Sequence, residues 1–78
     1  MNIALEDIQH IEEFVKICQE KKDKVDKYSV ALNIDEGWKH AVNFLTLEFY
    51  SNKDYKFFTY KLQNEDDYEA FINTLKEL

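Results

Sequence analysis

Residues 55–62, YKFFTYKL, have strand composition and strand length, and they are apolar on both faces. Period-two alternation puts Phe58, Tyr60 and Leu62 on one side and Tyr55, Phe57 and Thr59 on the other. A strand in an antiparallel sheet ordinarily needs only one apolar face, the one turned to the core. In a chain of 78 residues there is little material for a second layer. What lies against each face of this strand therefore limits the architectures open to the chain.

Two more blocks alternate in the same way. In YSVALNI, residues 28–34, Tyr28, Val30, Leu32 and Ile34 share a face, with Ser29, Ala31 and Asn33 behind them. In HAVNFLTLEFY, residues 40–50, Leu45, Leu47 and Phe49 oppose Val42, Phe44, Thr46, Glu48 and Tyr50. Between them DEG supplies a short hairpin loop, with Gly37 available for a left-handed position. SNKD, residues 51–54, is made of residues that bond their own backbone in turns. The three blocks are thus expected to form an antiparallel meander.

Helical spacing brackets the strands. From residue 3 to about 24, Leu5, Ile8, Ile11, Phe14, Val15 and Cys18 recur at intervals of three and four and draw one apolar stripe. Asn2 is placed to cap this helix, Glu6 and Asp7 suit its first turns, and Lys21, Lys22 and Lys24 suit its end. From Asn64 to Leu78, Tyr68, Phe71, Ile72, Leu75 and Leu78 define a second stripe behind an acidic start, with Asn64 as N-cap and Asp67 at the third helical position. The expected fold class is α+β, ordered α-β-β-β-α. With no proline, one glycine and no repeat, no linker is visible, and residues 1–78 read as a single small domain.

One sheet face would gather Val30, Leu32, Ile34, Leu45, Leu47, Phe49, Phe58, Tyr60 and Leu62 beneath the long helix. The other would carry Ala31, Val42, Thr46, Glu48, Thr59 and Lys61 around an aromatic group of Phe44, Tyr50, Tyr55 and Phe57. Three coverings of that outer face are open: the C-terminal helix crosses over to it, a partner or second copy docks on it, or it stays exposed. Its mixture of Tyr and Phe with polar residues suits a binding surface.

Charge narrows the choice of partner. Sixteen acids face ten bases, all of them lysine, for a net charge of −6. Without arginine, bidentate recognition of phosphates or base edges lacks its usual residue. A basic protein surface is the favoured electrostatic partner, and nucleic acid is not. Glu6, Glu13 and Glu20 are seven apart and draw a solvent-side stripe with members ~10 Å apart along the axis, an approximate phosphate mimic. Glu65, Asp66, Asp67 and Glu69 form a second acidic group, and Asp35 with Glu36 a third.

Reactive constellations are scarce. Cys18 falls on the apolar stripe, as a buried structural thiol does. His10 lies near Glu6 and Glu13, a surface ion-pair arrangement. His40 follows Trp38 and Lys39 at the start of the second strand. The two histidines and one cysteine have no zinc-ligand spacing, DDYE lacks the pattern of a calcium loop, and one glycine makes no phosphate cradle. No catalytic residue, metal or cofactor is assigned. No window is long and apolar enough to cross a membrane, MNIALEDIQHIEEF lacks the basic start of a signal peptide, and a lone cysteine suits a reducing cytoplasm.

A short acidic chain in α-β-β-β-α order, opening on MNI and closing on a helix of Asp/Glu-Tyr-Phe type, resembles the small phage-encoded anti-CRISPR proteins. It looks most like inhibitors that occupy the PAM-reading site of an RNA-guided nuclease as DNA mimics. Its lysine-, asparagine- and isoleucine-rich, arginine-free composition is similar to that of AT-rich phages and low-GC hosts. The resemblance is one of architecture and charge over the whole chain, with no shared motif. It implies competitive occlusion, with carboxylates pairing the lysines and arginines that hold phosphate. The expected function is therefore non-enzymatic protein binding, in its sharper form inhibition of a basic nucleic-acid-binding effector in the host cytosol. The alternatives are a homodimer joined through the aromatic sheet face or an edge strand, and a small-ligand binder with a pocket lined by Tyr60, Tyr68 and Trp38.

Overall fold

The computed structural model describes residues 5–36, 41–62 and 67–78, with side chains described at 5–32, 45–62 and 67–78. The order is helix α1 (Leu5–Glu20), strands β1 (Val25–Glu36), β2 (Ala41–Ser51) and β3 (Lys56–Lys61), and helix α2 (Tyr68–Lys76). The strands form one antiparallel sheet in the order β1-β2-β3. The class is α+β, as the periodicities require. Asn2, Gly37, Trp38, His40, Asn64, Glu65 and Asp66 lie outside the described residues.

Element ends differ from the sequence reading for local reasons. α1 stops at Glu20 rather than near residue 24. Beyond Cys18 no apolar residue continues the stripe until Val25, and residues 21–24 turn back on themselves through Lys24 N–H and Val25 N–H, which both donate to the Lys21 carbonyl at 2.8 and 3.0 Å. Lys21 Nζ donates to the Leu78 carbonyl at 3.1 Å, tying the ends of the two helices. β1 begins at Val25, three residues before the alternation of YSVALNI. Val25 is buried and pairs with Ser51, and the register shifts between Val25 and Lys27. Such a bulge breaks the period-two pattern, so alternation alone does not reveal the early start.

Tyr55 is not a strand residue. It occupies the left-handed region at φ 56° and closes the turn over 52–55, its N–H donating to the Ser51 carbonyl at 2.8 Å. Ser51, fully buried, accepts from Asp54 N–H and donates to Asp54 Oδ2, both at 3.1 Å. Asn52 joins this turn to the one after α1: its N–H reaches the Lys24 carbonyl at 3.0 Å and its Nδ2 the Asp23 carbonyl at 3.2 Å. α2 starts at Tyr68 with Asp67 at the N-cap position, where its side chain makes no capping bond. That replaces the expected place of Asp67 at the third helical position.

Both helices lie on the same side of the sheet. Phe49, at the centre of β2, has its ring 6.4 Å from Phe14 of α1 and 5.3 Å from Phe71 of α2, and it stacks on Phe58 at 5.1 Å. Phe14 and Phe71 are themselves 5.7 Å apart. Val25, Leu47, Tyr60, Leu62, Ile17, Cys18, Tyr68, Ile72 and Leu75 complete the buried cluster. α2 supplies as much of the cover as the longer α1, whose Leu5 and Ile8 are left exposed. The helix–sheet–helix sandwich is not formed.

The inner face is only partly covered, against expectation. Val30 pairs with Leu47 and Leu32 with Leu45, so they share the core side of the sheet, yet Val30 is 39% and Leu32 61% exposed. Lengths account for this. Nine residues of α2 span ~14 Å, whereas the twelve residues of β1 run ~40 Å. β3 pairs β2 only from Thr46 to Ser51, and the helices gather over that three-stranded part.

Phe49→Ala is expected to cost about 3–5 kcal/mol, a large part of a small domain's stability of about 5–15 kcal/mol. Phe57→Ala, half-exposed on the outer face, should cost under about 1 kcal/mol. Urea denaturation of both variants reads the contrast directly.

Candidate interaction surfaces

The anticipated aromatic group on the outer face is reduced. Tyr50 and Phe57 pair directly across β2 and β3, ring to ring at 5.0 Å and 63°. Tyr55 stands off the strand in its turn, 79% exposed. Phe44 faces Asn33 in the β1–β2 register, and its side chain lies outside the described residues. Around Tyr50 and Phe57 the face is polar: Thr59 Oγ1 donates to Glu48 Oε2 at 3.2 Å.

The anticipated acidic stripe is also rearranged. Glu13 is exposed but tied across to α2. It accepts a 2.6 Å hydrogen bond from the Tyr68 hydroxyl and lies 4.0 Å from Lys76 Nζ, joining α1 to α2. Glu6 Oε1 lies 3.9 Å from His10 Nε2, one helical turn away. Glu20 is exposed at the end of α1. Asp35 and Glu36 end β1, and of the second acidic group only Asp67 and Glu69 are described, at the start of α2.

What the fold assembles instead is an open groove of about 760 Å³ between the helices. It is lined by Glu6, His10, Glu13, Tyr68, Glu69, Ile72, Asn73 and Lys76. The imidazole of His10 stacks on the Tyr68 ring at 3.7 Å and 14°. Three carboxylates against one ammonium make the groove acidic. It brings together Glu6, Glu13 and Glu69 from two sequence-distant acidic groups. Lys76 was not assigned to a surface from sequence; His10 was read as a surface ion-pair partner of Glu6 and Glu13, and it lies near Glu6 while stacked on Tyr68.

Two groups in the core have lost ordinary acidity. Burial pushes the Cys18 thiol up from 9.0 to about 12, so little reactive thiolate forms at neutral pH. The Tyr68 hydroxyl is pushed well above the usual phenol range, first by burial, then by its bond to Glu13, and further by the charges of Glu13 and Tyr60. Tyr68 thus acts as a held donor that fixes Glu13 and reaches the His10 carbonyl at 3.3 Å. Among the described residues no group of three or more His, Cys, Asp or Glu is placed to hold a metal ion, and no helix is long and apolar enough to cross a membrane.

A third surface was not anticipated as exposed. Tyr28, Val30 and Leu32 line up along the core side of β1 and are 41%, 39% and 61% exposed. Tyr28 meets the core at one end, edge-on to Phe14 at 6.2 Å. Leu5 and Ile8, the N-terminal members of the α1 stripe, are exposed as well. The blocks read from sequence, 28–34, 40–50 and 55–62, carried no sign of this strip, since the mismatch between a twelve-residue β1 and a six-residue β3 appears only in the fold. Compared with known proteins, the chain matches no family model, no curated protein and no solved structure.

Both groups are weaker acids in the folded state than in the unfolded chain. The unfolded chain releases these protons first, so stability is full below pH 9 and falls as pH rises past 9.0 for the thiol and 10.0 for the phenol. Tyr68→Phe should cost about 1–2 kcal/mol at pH 7 through the lost bond to Glu13. It should also flatten the alkaline decline above pH 10. Urea midpoints across pH 7–12 check both statements.

Proposed function

We propose that this chain works by binding another protein, through the uncovered strip of β1, rather than by turning over a substrate. The observation that carries this reading is the row Tyr28, Val30 and Leu32, left open on the core side of the sheet although it continues the apolar core. Scattered surface leucines need no explanation, but adjacent apolar residues on one strand form a patch of the kind found at contacts. The inert Cys18 and the hydrogen-bonded Tyr68 support the non-enzymatic side of the reading, since neither is poised as a nucleophile or base.

The inter-helix groove favours a second, compatible contact. Its excess of carboxylate suits a lysine- or arginine-rich segment, in keeping with the net charge of −6. An inhibitor that presents this groove to a basic nucleic-acid-binding site is the sharper form of the same proposal. Of the acids first considered for such a role, Glu6, Glu13 and Glu69 stand together in the groove.

The two contacts are separable. Val30→Lys with Leu32→Lys alters exposed positions and should preserve the fold, seen as an unchanged thermal melt, while abolishing protein capture through the strip. Capture unaffected by this pair would overturn the β1 reading. For the groove, a lysine-rich peptide should bind at low salt and be released as ionic strength rises. Glu6→Gln with Glu69→Gln should weaken it about tenfold, two charge pairs at up to about 0.7 kcal/mol each. Equal peptide binding by this variant would exclude the groove.

A further inference from the structure

We propose that the strip on β1 is completed by a second copy of the chain, β1 pairing antiparallel with β1 across a two-fold axis at Ala31 to give a continuous six-stranded sheet. This rests on the reading of that strip as a protein contact and names its occupant.

The two edges of the sheet are built differently. β3 is six residues long and carries lysine at both ends, Lys56 and Lys61, which is how proteins discourage pairing at an open edge. β1 is twelve residues long, and its only irregularity is the shift between Val25 and Lys27. From Lys27 to Glu36 it runs in unbroken register with β2. It contains no proline, and its core-side positions 28, 30, 32 and 34 carry no charge. β1 confines its bulge and its charges, Asp26, Lys27, Asp35 and Glu36, to its ends and leaves 28–34 clear of both, a longer open stretch than the 57–60 that lies between the lysines of β3.

The sequence of β1 is complementary to itself in one register. With Ala31 opposite Ala31 of the second copy, Val30 falls opposite Leu32, Tyr28 opposite Ile34, Ser29 opposite Asn33, and Lys27 opposite Asp35. Each pairing occurs twice, as an isologous two-fold interface demands. Apolar positions meet apolar ones on the core side, small and polar positions meet on the outer side, and both lysines meet an aspartate. Asp26 drops out at the bulge, so the pairing ends at Lys27. Moving the axis to residue 30 sets Lys27 opposite Asn33 and leaves Asp35 with no opposite residue, and moving it to residue 32 sets Tyr28 opposite Glu36. A one-residue slip between the strands turns each core-side row toward the other copy's outer face. Only the register about Ala31 satisfies both the apolar matching and the charges. It brings Val30 and Leu32 of each copy beside Leu32 and Val30 of the other, shielding the flanks of residues that the helices leave open.

Sedimentation equilibrium should then report a particle of twice 9.4 kDa. Lys27→Glu sets acid opposite Asp35 at both ends and should weaken association about tenfold. Adding Asp35→Lys to that variant should restore it. Ala31→Cys places two thiols face to face on the axis and should give an intermolecular disulfide on mild oxidation, while Ser29→Cys, four residues or ~13 Å from its symmetry mate, should not. Cys18 is fully buried and will not interfere. A dimer indifferent to the charge swap, or one that cross-links at residue 29 and not at 31, overturns this pairing. A strict monomer that still loses capture of a different protein on Val30→Lys with Leu32→Lys overturns the self-association and leaves the contact reading intact. A monomer for which those substitutions change nothing overturns both.

Discussion

The contact between Phe49 and the rings around it holds the two layers of this protein together. Phe49 sits on the central strand, and Phe14 from one helix, Phe71 from the other and Phe58 from the neighbouring strand converge on it at 5.1–6.4 Å. Large rings bury much apolar area for few ordered residues, and tilted or offset pairs add attraction beyond burial. A chain of this length depends on such contacts, because small domains bury a limited share of their surface. Both helices must reach this cluster, so both lie on the same face, and the opposite face of the sheet is left without a helical layer.

That choice has a cost at the far end of the hairpin. The helices meet the sheet where all three strands overlap, and β1 extends well past that zone. Val30 and Leu32 inherit the core-facing side of the strand without a layer above them. The overall extents of 42 × 26 × 19 Å record the same imbalance. An apolar row on a regular edge strand is an unusual thing for a small protein to leave open.

The seam between the helices shows how residues that look like free surface charge can be drawn into structure. Glu13 is held by the Tyr68 hydroxyl and approached by Lys76, and His10 is laid flat on the Tyr68 ring. An acid at helix spacing from other acids reads as part of a solvent stripe only while the second helix is unplaced. Once α2 lies alongside, the stripe divides: Glu6 and Glu13 border a groove shared with Glu69, and Glu20 stands apart at the end of α1. The negative charge of the chain is unchanged, but its useful arrangement is a cleft rather than a line.

Element types and their order were legible in the residues themselves. Period-two alternation, three-and-four spacing, the SNKD break and the buried character of Cys18 all follow from local chemistry that acts within a few residues; the expected loop at DEG did not hold for Asp35 and Glu36, which continue β1 in register with β2. Boundaries at Val25 and Tyr55 were not legible, since a bulge and a left-handed residue disturb periodicity at those points. Local patterning established which side chains share a face of each element: Val30 with Leu32, Leu47 with Phe49, Phe71 with Leu75. Only the tertiary structure decided which of those faces were covered. Coverage depends on where a nine-residue helix and a sixteen-residue helix settle on a sheet longer than either, and that is a matter of competing areas across the whole molecule, to which no local spacing of residues is sensitive.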